Sequence, residues 1–563
     1  MSKYETINSI YDIYFNETEH YVKEYGEKTI VLMQVGGFFE MYGYREDDQI
    51  NGSSIDEVCD YCGFSISEKK SLYNDCQLVM AGVPEYSIDK HIPLIMESGY
   101  TVVVFKQVDI EGSDKKKRVL ENIYSPGTFI PQEESQVLSN NIICIWLELN
   151  TKLVNASNKS RYSLQYGASS VDMISGYSIM IQHSYNIESR KLLPSYFDEL
   201  QRFISVNNPS ETIIISSEGE ETIRNIIDMN NVHSRLVHIL APKGNRKIIK
   251  CEKQVYQREV IQQYFNINTY DSCDEFRTNM LATQSYCYLL NFITEHNPNL
   301  VKHIQLPDFN ISCDRVVLAN HTLSQLNIID DNNLQSKSYG KKSSVSSLLN
   351  HCCTAMGKRA FKLQITNPTT NTLWLQREYS IIQHMLDNYS YDERMKIRKH
   401  LGKVTDIQRI LGQIFLRKLT PVMMHKLYVN IEEVLLCIDI LKQDTVLLEY
   451  IWDQEETNKV ESLLDEIVSV FVQEKDYLDS VLNIENCAFV SNIKCCIDTP
   501  IIRMNNDELY DNTLNTYNDY EHKFIEVRDY LEIRIEEYEG KSNVSGYIKV
   551  HKTDKSGKYL EIT

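Results

Sequence analysis

Proline and glycine are scarce in this 563-residue chain, 12 and 21 residues respectively, which excludes a collagen-like or low-complexity disordered protein. Long apolar runs are missing too. No stretch of eighteen uncharged apolar residues occurs, and Met1 to Glu5 lead into a charged, aromatic segment without an apolar core, so neither a membrane span nor a secretory leader is expected. Positive charge is in deficit: 58 Lys and Arg stand against 78 Asp and Glu, a net charge of −20. Such a surface does not attract nucleic acid as a whole, so any contact with DNA has to be local. Residues 1–130 carry 12 basic and 22 acidic side chains, a net −10, and within them the local basic candidates are Lys106 and the run Lys115, Lys116, Lys117 and Arg118. On charge alone the run reads as a solvated loop. Fourteen cysteines at irregular spacing in so long a chain read as thiols in a reducing, intracellular compartment rather than as a disulfide framework.

What is present is a globular composition with 42% hydrophobic residues and 36 tyrosines, enough for several cores. The pattern along the chain predicts a multidomain α/β plus mainly α protein. Residues 1–130 open with a helical period (Ile7, Ile10, Tyr11, Tyr14) and contain two strands, 30–42 with a Gly36-Gly37 break and 101–110, before the turn Ser125-Pro126-Gly127. Residues 131–262 form a second α/β unit, with strands near 141–149, 161–166, 177–182 and 212–217. Long helical periods occupy 263–545, for example Phe276, Met280, Cys287, Leu290 and Ile293, then Ile431, Val434, Leu435, Ile438 and Leu441. Strand alternation returns at 546–563.

The segment Val31 to Gly43, VLMQVGGFFEMYG, carries the sharpest chemistry. Period-two alternation puts Phe38 and Glu40 on one side of a strand. A phenylalanine at a sheet edge can wedge into a base step and unstack it, and a nearby carboxylate can accept a hydrogen bond from a displaced base edge. A carboxylate beside phosphates is repelled, however, so Glu40 needs a compensating environment. By residue type alone, Phe38 and Phe39 read as core residues rather than wedges.

Several blocks, in order, resemble the MutS family of DNA mismatch-repair proteins. The first is similar to that family's Gly-x-Phe-aromatic-Glu mismatch motif, with Phe38 at the wedge and Glu40 at the base-contacting carboxylate. Gly37 stands where the family usually has Asp. MAGVPEYSIDKHIPLIMESGYTVVVFKQ at 80–107 and Tyr124-Ser125-Pro126-Gly127-Thr128 resemble the blocks that follow. ANHTLSQLNI at 319–328, SLLNHCCTAMGKRAFKLQITNP at 347–368 and Asp406-Ile407-Gln408-Arg409 resemble core-domain blocks, with Gln408 in place of a Glu. The resemblance implies a small mixed mismatch-binding domain at 1–130, a ribonuclease-H-like connector at 131–262, a helical core with levers at 263–545, and the start of a clamp at 546–563. It also implies mismatched or looped double-stranded DNA as ligand, insertion of Phe38 as the mode of recognition, and a dimer or second polypeptide as partner.

Family members hydrolyse ATP with Mg²⁺ in a C-terminal domain whose phosphate loop is Gly-x-x-x-x-Gly-Lys-Ser/Thr. The nearest match is Gly540-Lys541-Ser542, with Ile535 at the first glycine position and no strand signal before it. The expectation is therefore that these residues bind no cofactor and are not an enzyme, the ATPase lying outside them. Other constellations are thinner. Cys59 and Cys62 have zinc-knuckle spacing without a second ligand pair. Cys352-Cys353, Cys495-Cys496, His321, His351 and His425 read as packing or surface residues. Two rivals remain: a metal-dependent nuclease using Glu148 and Asp172 of the connector, and a structural partner of a full-length relative that no longer touches the mismatch.

Overall fold

The computed structural model describes residues 10–47, 49–110, 113–131, 138–153, 160–187, 189–266, 268–309, 315–316, 322–329, 344–452, 457–490, 499–539, 548–553 and 557–562. The chain forms two compact units, Met1–Leu419 and Thr420–Thr563.

In the first unit, helix α1 (Ile10–Tyr25) buries Tyr14, Thr18, Tyr21 and Tyr25, whose four- and three-residue spacing makes one stripe. That stripe lies on a seven-stranded sheet of β1 (Thr29–Val35), β2 (Phe38–Glu46), β3 (Gln49–Asn51), β4 (Ser67–Tyr73), β5 (Cys76–Pro84), β6 (Thr101–Ile110) and β7 (Ser113–Tyr124). The order is β4-β5-β2-β1-β6-β7, with β3 beside β2, and β1 and β6 run parallel. The two apolar segments expected as strands are thus its central pair. Residues 29–34 and 101–105 are buried on both faces, which is why neither stretch shows clean alternation. Tyr11 and Tyr14 of α1 meet Tyr42 edge-on at 5.2 and 5.0 Å between ring centres. On the opposite face helices α2 (Ile55–Cys62) and α3 (Ile88–Glu97) bury Ile55, Val58, Ile92, Ile95 and Met96.

A second, five-stranded sheet follows: β8 (Asn141–Leu153), β9 (Ser160–Asp172), β10 (Ser178–Ile187), β11 (Glu211–Ser216) and β12 (Leu236–Leu240). Its order is β10-β9-β8-β11-β12, an antiparallel meander extended by two parallel strands. The helix Met280–His296, whose period read as part of the helical second half, lies on β8 and β9 and is buried nearly all round. It approaches so closely that a Cβ on Gly167 would stand 2.1 Å from the Ala282 nitrogen. Gln182 Oε1 accepts from Leu281 N–H at 2.8 Å and Ala282 N–H at 3.2 Å, satisfying two free donors at the start of that helix.

Helices Ala355–Thr366, Thr372–Asn388, Tyr391–Leu401 and Ile407–Phe415 complete the first unit. Arg359 reaches Asp406 in a two-pronged pair, Nη1 to Oδ2 at 2.9 Å and Nη2 to Oδ1 at 2.7 Å, and Nη2 also donates to Gln408 Oε1 at 2.5 Å. Two blocks far apart in sequence are joined there, and Gln408 serves as the acceptor.

The second unit is helical, with Pro421–Leu441, Thr445–Trp452, Thr457–Val481 and Glu508–Glu539 as its longest described helices. Thr420 accepts from Met423 N–H and Pro421 follows at the first turn, a helix start fixed by its own residues. Ile438, Leu448 and Leu464 form one small core. β13 (Ile548–Thr553) and β14 (Gly557–Ile562) pair antiparallel, as the terminal alternation predicts.

Candidate nucleic-acid interface

β1 and β2 form a hairpin whose two loop residues are Gly36 and Gly37, between the paired Val35 and Phe38. Gly36 has φ +62°, which a tight hairpin sets for its first loop residue and which glycine meets without a Cβ penalty. Gly37 has no such φ, and a Cβ there would meet nothing within 4 Å, so the conformation also accommodates a larger residue.

At the tip the two phenylalanines part company. Phe38 is 50% exposed, whereas Phe39 is 2% exposed and belongs to the core. Alternation carries Phe38, Glu40 and Tyr42 along one face, the face that α1 covers at Tyr42 and leaves open at Phe38. Glu40 is 9% exposed. Its Oε2 accepts from the Tyr42 hydroxyl at 2.5 Å and pairs with Lys69 Nζ at 2.9 Å. Lys69 also sits 5.1 Å over the Tyr42 ring. Burial, together with donation to the Glu40 carboxylate, pushes the Tyr42 hydroxyl far above the ordinary tyrosine range, so it remains a donor. Gly82 faces Glu40 across β5, and a Cβ there would stand 3.3 Å from Glu40 Cγ, so its absence makes room for the carboxylate side chain.

The basic residues lie on β6 and β7, where pairing sorts them onto two faces. Lys106 opposes Val119 and Lys117 opposes Val108 on one face; Arg118 opposes Gln107 and Lys116 opposes Asp109 on the other. Lys106 pairs with Glu121 at 3.4 Å and Lys116 with Asp109 at 3.5 Å. Lys117 is exposed and has no ion-pair partner among the described residues. The side chain of Lys115 lies outside the described residues, although its backbone belongs to β7. Arg118 turns inward: Nε donates to Gln34 O at 3.4 Å and Nη2 to Gln107 Oε1 at 3.2 Å.

The nuclease carboxylates do not meet. Asp172 pairs with Asn141 on β8, seven residues from Glu148, a separation of about 23 Å at strand rise. Asp172 is occupied instead as a turn acceptor, taking Asn140 N–H at 2.8 Å, Ile174 N–H at 3.1 Å and Ser175 Oγ at 2.5 Å. Cys59 and Cys62 are on α2, and burial pushes the Cys59 thiol up to about 12, opposite to what a thiolate ligand needs. His351 is exposed and His425 part-buried, and His425 Nδ1 lies 3.2 Å from Ile484 O. His321, Cys495-Cys496, Gly540-Lys541-Ser542 and Thr563 lie outside the described residues. The residues just before that Gly-Lys-Ser belong to the helix Glu508–Glu539, whereas a phosphate loop follows a strand.

Sequence reading missed Lys69 and Gln34. Lys69 reaches Glu40 through the β4-β5-β2 order, which no local pattern encodes. Gln34 is 7% exposed, and a polar residue within an apolar strand was the visible signal for a buried polar contact.

Residues 18–133 match the family model of MutS domain I, and residues 321–533 that of MutS domain III. A mutS homologue of Acanthamoeba polyphaga mimivirus, named for DNA mismatch repair, is 26% identical over 445 residues, covering 73% of this chain and 38% of the relative. The DNA mismatch repair protein MutS of Caldanaerobacter subterraneus subsp. tengcongensis is 23% identical over 406 residues, 71% of this chain and 40% of that one. The mitochondrial mutS homologue of Sarcophyton glaucum, also named for DNA mismatch repair, is 23% identical over 454 residues, 71% and 43%. The matches thus span about two fifths of the length of these relatives. Among the described residues no helix is long and apolar enough to cross a membrane.

Proposed function

We infer that this chain, which belongs to the MutS family, binds duplex DNA at mispairs or small loops by inserting Phe38 through the minor groove beside the lesion. The observation that carries this reading is the contrast between adjacent residues: Phe38 half exposed at a braced hairpin tip, Phe39 buried beneath it. A mispair lowers the cost of unstacking and bending, so a wedge that gains little on matched duplex gains more at the lesion. Glu40 shares the face of Phe38 and accepts a hydrogen bond from a displaced base edge. Lys69 beside it supplies the cation that offsets repulsion between carboxylate and phosphates.

The order β10-β9-β8-β11-β12, three antiparallel strands and two parallel ones, supports a ribonuclease-H-like connector. Its separated carboxylates favour a binding role over cleavage. We further propose that residues 1–563 neither bind a nucleotide nor hydrolyse ATP, act within an intracellular compartment, and work with a second copy or a second polypeptide that supplies ATPase activity.

Fluorescence anisotropy at low salt tests the central claim. The chain should bind a duplex with one extra unpaired base more tightly than the matched duplex, and Phe38→Ala should abolish the difference. Equal preference in both proteins would sink the wedge.

A further inference from the structure

Phe38 is only as effective a wedge as its hairpin is stiff, and the loop before it is two glycines. Glycine leaves a loop free to deflect, and a deflecting tip cannot separate stacked bases, whose unstacking has a free-energy cost at each step. The loop is bonded on both flanks. On one side Glu85 N–H donates to Gly37 O at 2.9 Å. On the other, Gly36 N–H donates to Gln107 Oε1 at 3.3 Å, and Gln34 Nε2 donates to Gly36 O at 3.4 Å. Those two glutamines are themselves joined, because Gln107 N–H donates to Gln34 Oε1 at 2.9 Å. Arg118 closes the set from β7: Nε donates to Gln34 O, Nη2 to Gln107 Oε1, and Nη1 to Lys116 O at 3.2 Å. Gln34 is 7% exposed, so its bonds are shielded from exchange with water.

We propose that Gln34, Gln107 and Arg118 are positioning residues for the wedge: they tie the Gly36-Gly37 turn to β6 and β7 and hold Phe38 ready for insertion. The inference rests on the wedge reading of Phe38. It also gives Arg118 a role unlike that of its basic neighbours. A guanidinium fork can serve three acceptors at once in fixed directions, which a lysine ammonium cannot reproduce, whereas a phosphate contact tolerates either cation. Gln107 Oε1 acts purely as acceptor for Gly36 and Arg118, so a carboxylate at this position keeps the brace and an aliphatic side chain removes it.

The test uses the full chain and two duplexes, matched and with one extra base, across a salt series. The variants are Gln107→Leu, Gln107→Glu, Arg118→Lys, Arg118→Ser and Phe38→Ala. Gln107→Leu and Arg118→Lys should cut the preference for the looped duplex about tenfold, or to the level of Phe38→Ala, as expected of a misplaced contact group. Affinity for matched duplex and the salt slope should stay within error of the unaltered chain, because every lysine that meets a phosphate is still in place. Gln107→Glu should retain the preference, which a role in mere folding of the sheet would not single out. Retention by Arg118→Lys, with Arg118→Ser weakening both duplexes and lowering the salt slope by about one, would make Arg118 a phosphate ligand and overturn the inference. If the unaltered chain shows no preference, or Phe38→Ala keeps it, the wedge reading fails and this inference falls with it. Normal Phe38→Ala behaviour with an intact Gln107→Leu variant overturns the brace alone.

Discussion

Lys69 on the outer strand β4 places its ammonium 2.9 Å from Oε2 of Glu40, two strands away on β2. If Glu40 meets DNA as proposed, its carboxylate needs a compensating cation near the phosphates, and this ion pair supplies one. The same oxygen takes the Tyr42 hydroxyl, so the carboxylate is held in one orientation from two directions. The pair is only partly shielded, with side chains 25% and 11% exposed, which discounts its Coulomb energy but not its effect on local charge.

Lys69→Met should therefore destabilise the chain by about 1–3 kcal/mol, the range for leaving a part-buried polar group short of a partner. It should also weaken binding to matched and mismatched duplexes alike, because Glu40 then faces the phosphates uncompensated. The double variant Lys69→Met with Glu40→Gln should recover affinity for matched duplex. Chemical denaturation and anisotropy check both, and a Lys69→Met protein with unaltered affinity would remove Lys69 from the interface.

Phe38→Ala and Phe39→Ala should behave oppositely. The first removes an exposed ring and should change unfolding free energy by less than about 0.5 kcal/mol. The second empties a buried site and should cost about 3–5 kcal/mol. Denaturant titration of both proteins decides the matter, and a large stability loss in Phe38→Ala would return Phe38 to the core.

The central strands were legible because burial on both faces demands continuous apolar runs, and residues 30–33 and 102–105 are such runs. Period two was enough to put Phe38 and Glu40 on one face. It could not decide which of Phe38 and Phe39 is buried, since that depends on where α1 stops covering the sheet. Equally hidden was the division of the basic run, because strand register alone turns Arg118 toward Gln107 and Lys117 away from it. The helix Met280–His296 carries a helical period whichever layer it joins. Its place on the second sheet depends on Gly167 lacking a side chain, a long-range fact with no local signature.

Acid should unfold the first unit early. Burial holds the His296 imidazole down, to about 4 from an ordinary value of 6.5, with its Nδ1 2.8 Å from Phe292 O. Glu211 is fully buried, and burial pushes its carboxyl up, but bonds and charge from His238, with Ser125, outweigh that and hold it below the ordinary range. The unfolded chain takes up a proton at the imidazole near 6.5 while the folded chain refuses it, so stability is full above that pH and declines as pH falls toward about 4. The His296 share is at most about 3 kcal/mol. Glu211 acts with the same sign lower down, its contribution being lost as pH falls through its depressed folded value. Thermal melts at pH 7.5 and 5 should differ, and His296→Gln should shrink the difference. A gap unchanged by that substitution would assign acid lability to other groups.

The remaining basic residues should act through phosphates. Lys106 and Lys116 are tied only to exposed acids, Glu121 and Asp109, in pairs worth about 0–1 kcal/mol, so a phosphate can displace the carboxylate at little cost. Lys106 and Lys117 share one face of β6 and β7, with the exposed Val108 and Val119 between them. Replacing both by Ser should weaken binding to matched and mismatched duplex by the same factor and reduce the salt slope by about two, because each lysine that neutralises a phosphate releases one counterion. Lys116→Ser, on the face of Phe38, should lower the slope by about one. None of these variants should alter the ratio between the two duplexes, because phosphates carry no information about pairing. A double variant with an unchanged slope would make this strip a solvated edge, and a changed ratio would mean that the strip senses the lesion itself.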